Sequence, residues 1–229
     1  MANLVRKVAS SLLDKMGSPA RVLDVRAWEQ RTLYEVDLHL PTVDLTKWTT
    51  VPRLKCRVAE FDFRDYSPAM WDVSRRTCTL YIEAGHAGAG SRWVRQLRRG
   101  DAVAVGPAHA ERLPASPGPV LALGDGSALG HLLALKQLTD REQHPLEACV
   151  ALHGAYRIPG DLQARNPEFD LRPTANVPAT LETWLHGRSL GRYAAIYLAG
   201  NMGLVAHLRR QLRAQPDLQA RLYVSGFWK

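Results

Sequence analysis

The chain has 229 residues, of which 46% are hydrophobic and 23% are charged, as in ordinary globular domains. Its formal net charge of +8 suits an anionic ligand, which could be a nucleic acid, a phosphorylated cofactor or an acidic small substrate. Aromatic residues form only 7% of the chain and do not interleave with the scattered basic residues, which disfavours nucleic-acid binding. Because no apolar run approaches the roughly 20 residues that cross a bilayer, we expect no membrane association.

The first segment, Met1–Gly17, carries apolar residues at helical spacing, and a glycine is placed to end a helix. It lacks a long apolar core and a small-residue cleavage site, so we expect a packed leading helix and not a targeting segment.

Three cysteines, Cys56, Cys78 and Cys149, share no close spacing. An odd number of widely spaced cysteines indicates buried free thiols in a cytoplasmic protein. No histidine or cysteine spacing matches a zinc motif, so we predict no permanent metal site.

The stretch from Arg21 to Val105 follows a period of two. In Tyr34–Leu40 apolar and polar residues alternate, as in a half-buried antiparallel strand. Further predicted strands are Leu54–Val58, Phe61–Phe63 and Thr77–Ile82. Short strands at this spacing indicate a small barrel or sandwich. The Pro-rich segment Glu111–Pro119 is the predicted linker, so the predicted domains are residues 1–112 and 119–229.

Beyond the linker, predicted strands and helices alternate. The predicted strands are Val120–Leu123, Ala148–Leu152, Ala194–Leu198 and Leu222–Val224, and the predicted helices are Ser127–Leu138 and Met202–Leu212. This alternation predicts an open parallel α/β sheet, which binds its ligands at the carboxyl ends of the strands.

A first group of chemically useful residues is Arg64-Asp65-Tyr66-Ser67, at the end of a predicted strand. Arg64 and Tyr66 are two residues apart on an extended chain, so they share one face. A guanidinium, an aromatic ring and the nearby Ser67 hydroxyl suit a flavin ring with a phosphate beside it. The alternative is an ordinary strand end with a surface arginine and a packed tyrosine.

A second group, Gly88-Ala89-Gly90-Ser91, follows a strand and opens a predicted helix. Ser91 is the expected N-cap. Free amides at a helix start, together with glycines that let a ligand approach the backbone, form a pyrophosphate site. The alternative is a capped surface helix.

A third group, Gly124 to Gly130, lies at the first strand-to-helix turn of the α/β half. It is one residue too long to match the G-x-G-x-x-G dinucleotide pattern, and its position is what favours a nucleotide loop.

In this order the motifs resemble the ferredoxin–NADP reductase superfamily, which carries R-x-Y-[ST] and then G-x-x-[ST]. Within it, the chain is most similar to the siderophore-interacting proteins, which are FAD-dependent ferric-siderophore reductases. The supporting segments are Arg64–Pro68, His86–Trp93, Arg99–Asp101, Gly106–Pro107, Leu123–Leu129, Tyr197–Gly200 and Tyr223–Lys229. The resemblance implies an antiparallel Greek-key FAD-binding β-barrel followed by an open parallel α/β nicotinamide-binding domain.

The resemblance also implies roles for individual residues. Arg64 and Ser91 hold the FAD pyrophosphate, Tyr66 lies against the isoalloxazine, and Ser67 hydrogen-bonds near its reactive nitrogen. Tyr66 and Ser67 are therefore the catalytic candidates. Further implied cofactor residues are His86, Gly88 and Gly90 for FAD, and Gly124, Asp125, Ser127, Ala128 and Gly200 for the nicotinamide nucleotide.

Three positions depart from the family pattern. Ala69 stands where a second arginine is frequent, Gly130 where proline is common, and Asn201 where an acidic residue follows Ala-Gly. These departures affect the nicotinamide half more than the flavin half.

The resemblance predicts a monomeric enzyme that passes electrons from NADPH or NADH through FAD to a ferric siderophore. Arg157 after the second α/β strand favours NADPH, because no carboxylate is available there for the NADH ribose. A basic mouth containing Lys55 and Lys229 is expected to bind the anionic chelate. Two alternatives remain: a flavin reductase with a protein acceptor, and a non-catalytic protein that binds flavin or siderophore.

Overall fold

The computed structural model describes residues 18–107 and 118–228. The chain divides into two compact units, Met1–Arg112 and Leu113–Lys229. The predicted leading helix, nearly all of the predicted linker and Lys229 lie outside the described residues. Among the helices of the described residues, none is long and apolar enough to cross a membrane.

The first unit is a curled antiparallel sheet of seven strands in the order β4-β3-β7-β1-β2-β6-β5. The strands are β1 Ser18–Ala27, β2 Leu33–His39, β3 Leu54–Ala59, β4 Asp62–Tyr66, β5 Pro68–Asp72, β6 Thr77–Glu83 and β7 Ala102–Pro107. Helix α1, Ala89–Gln96, connects β6 to β7. Strand β7 lies between β1 and β3, so the strand order departs from the chain order. The predicted antiparallel barrel domain is confirmed.

The strand predicted at Phe61–Phe63 was placed too early. Phe61 belongs to the tight turn between β3 and β4, and β4 continues to Tyr66. The β3–β4 pairing sets Cys56 opposite Arg64 and Leu54 opposite Tyr66. This register places Arg64 and Tyr66 on the last residues of an edge strand.

The second unit is a parallel sheet of five strands in the order β10-β9-β8-β11-β12. The strands are β8 Val120–Asp125, β9 Leu146–His153, β10 Phe169–Thr174, β11 Ala195–Asn201 and β12 Arg221–Trp228. The helices are α2 Leu129–Arg141, α3 Gly160–Arg165, α4 Val177–Leu185 and α5 Met202–Arg213. The predicted open parallel α/β domain is confirmed.

The centre of this sheet positions the second candidate site. All six residues of β8 are buried, as expected for a strand that helices cover on both faces. The parallel pairing sets Gly124 of β8 beside Ala199 of β11. The turns that follow these two strands therefore meet at the same edge of the sheet.

The prediction of buried free thiols is confirmed, since Cys56, Cys78 and Cys149 are free and buried. Burial raises the pKa of the Cys56 thiol and of the Cys149 thiol to about 12. These thiols stay protonated near neutral pH, which suits packing and not redox chemistry.

Candidate functional site

Arg64 lies at the edge of the first unit with 47% of its side chain exposed. Its Nη1 donates to the Phe63 carbonyl oxygen at 2.8 Å, and its guanidinium pairs with the carboxylate of Asp62, two residues earlier on β4. An exposed ion pair of this kind contributes about 0–1 kcal/mol. The guanidinium is thus available to an anion that carries more charge than one carboxylate.

Tyr66 is held by α1. Its ring stacks on the Trp93 ring, with centroids 5.8 Å apart and planes inclined by 17°. Its hydroxyl lies so close to Gly90 that a Cβ added there would overlap it. Burial raises the pKa of Tyr66 above its ordinary value, so the side chain is a neutral phenol at physiological pH. Ser67 follows at the link between β4 and β5, and it is half-buried.

The predicted N-cap at Ser91 was wrong. Helix α1 begins at Ala89, and its N-cap is Gly88, which is extended at φ −77° and ψ 166°. The Gly88 carbonyl oxygen accepts the first helical hydrogen bond, from the Arg92 amide at 3.1 Å. Ser91 therefore lies inside the first turn, three residues after the N-cap.

This placement leaves Ser91 with an unusual environment. Its side chain is only 2% exposed, and its Oγ has no hydrogen-bond partner. Gly88 supplies no side-chain cap, and the first turn contains no acidic residue. The first amides of a helix have no acceptor within the helix. Free amides at a helix start are donors of the kind that bind phosphate oxygens.

The structure brings most of the predicted flavin-binding residues together. A Cβ at Gly90 would lie 3.7 Å from Arg64 Cγ, so the end of β4 touches the start of α1. His86 is exposed in the turn that leads into α1, with its Cδ2 3.4 Å from the position of a Gly88 Cβ. Sequence reasoning missed Trp93 as a partner of Tyr66, because no local pattern links β4 to α1.

Ala69, where a second arginine was expected from the resemblance, and Lys55, predicted to bind the anionic chelate, lie on β5 and β3. Ala69 is fully buried in β5, so an arginine would not fit in this packing. Lys55 is 36% exposed, and its Nζ binds the Asp65 carboxylate at 2.8 Å. Its positive charge is therefore partly compensated.

The second candidate site centres on a buried carboxylate, Asp125, which is 6% exposed. Its Oδ1 accepts hydrogen bonds from the Ser127 amide at 3.0 Å and the Ser127 hydroxyl at 2.5 Å. Its Oδ2 accepts from the backbone amide of Asn201 at 2.7 Å, which ties the end of β8 to the end of β11. Burial raises the pKa of Asp125 even though these donors oppose the shift. We call Asp125, Ser127 and Asn201 the Asp125 network.

Glycines make this close approach possible. Gly200 has φ +128°, and a Cβ there would lie 2.5–2.7 Å from the Asp125 carboxylate. A Cβ at Gly124 would lie 2.6 Å from both Ala128 Cβ and the Ala199 carbonyl oxygen. Both glycines are thus required by contacts within the unit.

Asn201 has a structural role at the start of α5. Its Oδ1 caps α5 by accepting from the amides of Gly203 and Leu204 at 2.9 and 3.1 Å. Asparagine is among the best residues for this position.

The predicted nucleotide residues are thus mostly enclosed. Gly124, Asp125, Ala128 and Gly200 are buried, whereas Ser127 is half-buried. Trp228 Nε1 also donates to Ser127 Oγ at 3.1 Å. Arg157 is exposed beyond the carboxyl end of β9.

Comparison with known proteins yields matches in structure alone. No family model matches the chain, and no curated protein matches it. The siderophore-interacting protein of Acinetobacter baumannii superposes with a TM-score of 0.71 at 11% identity, covering 93% of this chain and 90% of that one. Phthalate dioxygenase reductase superposes with a TM-score of 0.72 at 14% identity, covering 93% of this chain and 68% of that one.

A third match is an intact type IV self-sufficient cytochrome P450 monooxygenase, with a TM-score of 0.69 at 16% identity. The match covers 90% of this chain but only 28% of the monooxygenase. Identities this low establish a shared fold and nothing finer. The resemblance inferred from the motifs is confirmed at that level: the chain has the two-domain fold of the siderophore-interacting proteins and of ferredoxin-reductase-like proteins.

Proposed function

We propose that this protein is a flavin-dependent oxidoreductase that passes electrons from NAD(P)H to a ferric siderophore and thereby releases iron. The observation that carries the proposal is the start of α1, where Gly88 supplies no side-chain cap and the buried Ser91 hydroxyl has no partner. Leaving such a group unsatisfied costs about 1–3 kcal/mol. A ligand oxygen that accepts from it removes that cost.

The residues present fit FAD. Arg64, the Ser91 hydroxyl and the first amides of α1 would hold the pyrophosphate, with His86 at the entrance. Tyr66 would offer one face of a neutral ring to the isoalloxazine, and Ser67 would hydrogen-bond to its edge. Bound FAD would supply the chemistry that side chains lack, which is to accept two electrons together and release them singly.

The electron donor in this proposal binds the second unit. We favour NADPH, because the exposed Arg157 suits a 2′-phosphate and the described end of β9 carries no carboxylate for a ribose. In this reading Gly124, Asp125, Ala128 and Gly200 shape the turn from within, and Ser127 reaches the nucleotide. NADH is the alternative donor.

The proposed acceptor is an anionic ferric siderophore. One NAD(P)H would reduce two ferric chelates, yielding NAD(P)⁺, one proton and two ferrous ions. Ferrous iron binds hard oxygen ligands less strongly than ferric iron, so reduction promotes release. The net charge of +8 favours approach of an anionic chelate, and Lys55 and Lys229 are the residues proposed to contact it. The three buried free cysteines suit a reducing cytoplasm.

An anaerobic titration tests this function. Purified protein supplied with FAD should retain the flavin spectrum, lose it when NADPH is added, and regain it when a ferric siderophore follows. A protein that takes up no flavin would overturn the proposal. Bleaching by NADPH without reoxidation by any ferric siderophore would overturn the acceptor alone.

A second candidate function is electron transfer to a protein. It is favoured because phthalate dioxygenase reductase, described as transferring electrons from pyridine nucleotides to [2Fe-2S], superposes as well as the siderophore-interacting protein does. Reoxidation by a [2Fe-2S] ferredoxin but not by ferric siderophores would select this function.

A non-catalytic binding protein is the third candidate, and the self-contained Asp125 network favours it. Retained FAD that neither NADPH nor NADH bleaches would select that function.

A further inference from the structure

We propose that Trp93 is a positioning residue of the flavin site, acting through Tyr66. Gly90 and Trp93 together form a notch on α1, here called the α1 notch, which fixes the phenol ring that FAD is to contact. The inference rests on the proposed function, because it takes the ligand to be FAD.

The spacing of the two notch residues explains its shape. Gly90 and Trp93 are three positions apart on one helix, so they lie on the same face. Gly90 leaves a gap, and the Trp93 indole forms the wall beside it. The Tyr66 ring enters this gap, with its hydroxyl against Gly90 and its face against the indole. Both the position of the Tyr66 hydroxyl and the plane of the Tyr66 ring are thus constrained by α1.

The pair does not behave as part of the hydrophobic core. Both Tyr66 and Trp93 are half-buried, in contrast to the fully buried Leu80 of β6 and Val94 of α1 itself. The Trp93 ring lies nearly parallel to the Tyr66 ring, and in the proposed complex the isoalloxazine would approach Tyr66 from the other side. A ring that is already ordered loses less conformational entropy when a ligand stacks on it.

The same helix also carries the proposed pyrophosphate donors. Ser91 lies between the two notch residues in sequence, and its unpartnered hydroxyl is buried on a different face. Because Trp93 and Ser91 lie on the same rigid helix, the position of the residue that supports the Tyr66 ring is fixed relative to the proposed phosphate donors. Loss of Trp93 should disturb the ring support while leaving Arg64 and Ser91 intact.

A double-mutant cycle tests this proposal through the dissociation constant for FAD. Trp93→Leu should weaken FAD binding about three- to tenfold, the range expected when one side chain must be immobilised on binding. Trp93→Phe should stay within about twofold, because a smaller ring still stacks. In a Tyr66→Leu background, Trp93→Leu should have no additional effect, since the residue it positions is gone. Trp48→Leu is the matched control, because Trp48 is also half-buried and in ring contact, with Trp71.

A second variant pair tests the notch without removing any aromatic ring. Gly90→Ala should weaken FAD binding because its Cβ overlaps the Tyr66 hydroxyl. Tyr66→Phe removes that hydroxyl, so Gly90→Ala in the Tyr66→Phe background should recover most of the loss. This rescue remains informative if Trp93→Leu fails to fold.

The outcomes separate the two proposals. Wild-type protein that binds no FAD overturns both. Wild-type protein that binds FAD, with Trp93→Leu binding equally well or with effects of Trp93 and Tyr66 that simply add, overturns the positioning role alone. A Gly90→Ala loss that Tyr66→Phe does not rescue overturns the α1 notch.

Discussion

The helix starts of the two units differ in how their polar groups are used. Helix α1 begins after Gly88, with no side-chain cap and with the Ser91 hydroxyl buried and unpartnered. In the second unit, Asp125 and Asn201 each cap the turn that follows their strand. Both turns are rich in glycine. The comparison teaches that glycine content marks a close approach, whereas the polar groups show whether the protein itself satisfies the turn, as at Asp125, or leaves a hydroxyl unpartnered, as at Ser91.

Removing the carboxylate at the centre of the Asp125 network should have the largest effect on stability. Asp125→Ala removes the acceptor of the part-buried backbone amides of Ser127 and Asn201 and of the Ser127 hydroxyl, so we expect the free energy of unfolding to fall by about 3 kcal/mol. Denaturant unfolding monitored by circular dichroism measures this loss. A loss below about 1 kcal/mol would mean that water replaces the carboxylate and that the site is not closed.

Removing the Arg64 guanidinium should weaken FAD binding and leave the stability of the fold unchanged. Arg64→Ala should raise the FAD dissociation constant about ten- to a hundredfold, the value of a charge-assisted hydrogen bond. Arg172→Ala is the matched control, because Arg172 is similarly exposed and pairs with Asp170 two residues earlier on its strand. Equal FAD binding by wild type and Arg64→Ala would remove Arg64 from the site.

The two serines should respond in opposite ways. Ser91→Ala removes an unpartnered buried hydroxyl, so the protein without flavin should be as stable as wild type or more stable, while FAD binding weakens about fivefold to tenfold. Ser127→Ala should instead lower the free energy of unfolding by about 1 kcal/mol, because that hydroxyl bonds to Asp125 and Trp228. Thermal unfolding without and with FAD gives both values. Destabilisation of the flavin-free protein by Ser91→Ala would show that the Ser91 hydroxyl makes a stabilising contact within the protein.

The preference for NADPH over NADH tests the proposed role of the exposed Arg157. Arg157→Ala should raise the Michaelis constant for NADPH about fivefold to tenfold and leave that for NADH unchanged, because only NADPH carries a 2′-phosphate. Arg165→Ala is the control, an exposed arginine paired with Asp161 on α3. Equal use of both nucleotides, unaltered by Arg157→Ala, would rule out this role.

The smallest effect is expected at Lys55, whose charge Asp65 already offsets. Lys55→Ala should raise the Michaelis constant for an anionic ferric siderophore about twofold to threefold at low ionic strength, and less in added salt. Lys47→Ala, which removes a more exposed lysine paired with Asp44, is the control. A similar change with a neutral acceptor would show that Lys55 supports the fold or the flavin instead of the chelate.

The order of elements was predictable from the sequence because side-chain periodicity is a local property. Alternation in Tyr34–Leu40 predicted a strand of the barrel, and the strand–helix alternation after Val120 predicted a parallel sheet. Local patterns failed where tertiary position decides. Strand β10 was missed, since its Pro173 is acceptable only because β10 lies at the sheet edge.

By itself, then, the sequence determined the antiparallel half, the parallel half, their order and the glycine-rich turns that follow their strands. Only the tertiary structure decided which of those turns has its polar groups satisfied within the protein. The Asn201 amide reaches Asp125 because β11 pairs with β8, and Tyr66 meets Trp93 because β4 ends beside α1. Hydrogen bonds and ring contacts between residues distant in the chain depend on strand pairing and helix placement, which no local pattern of residues contains.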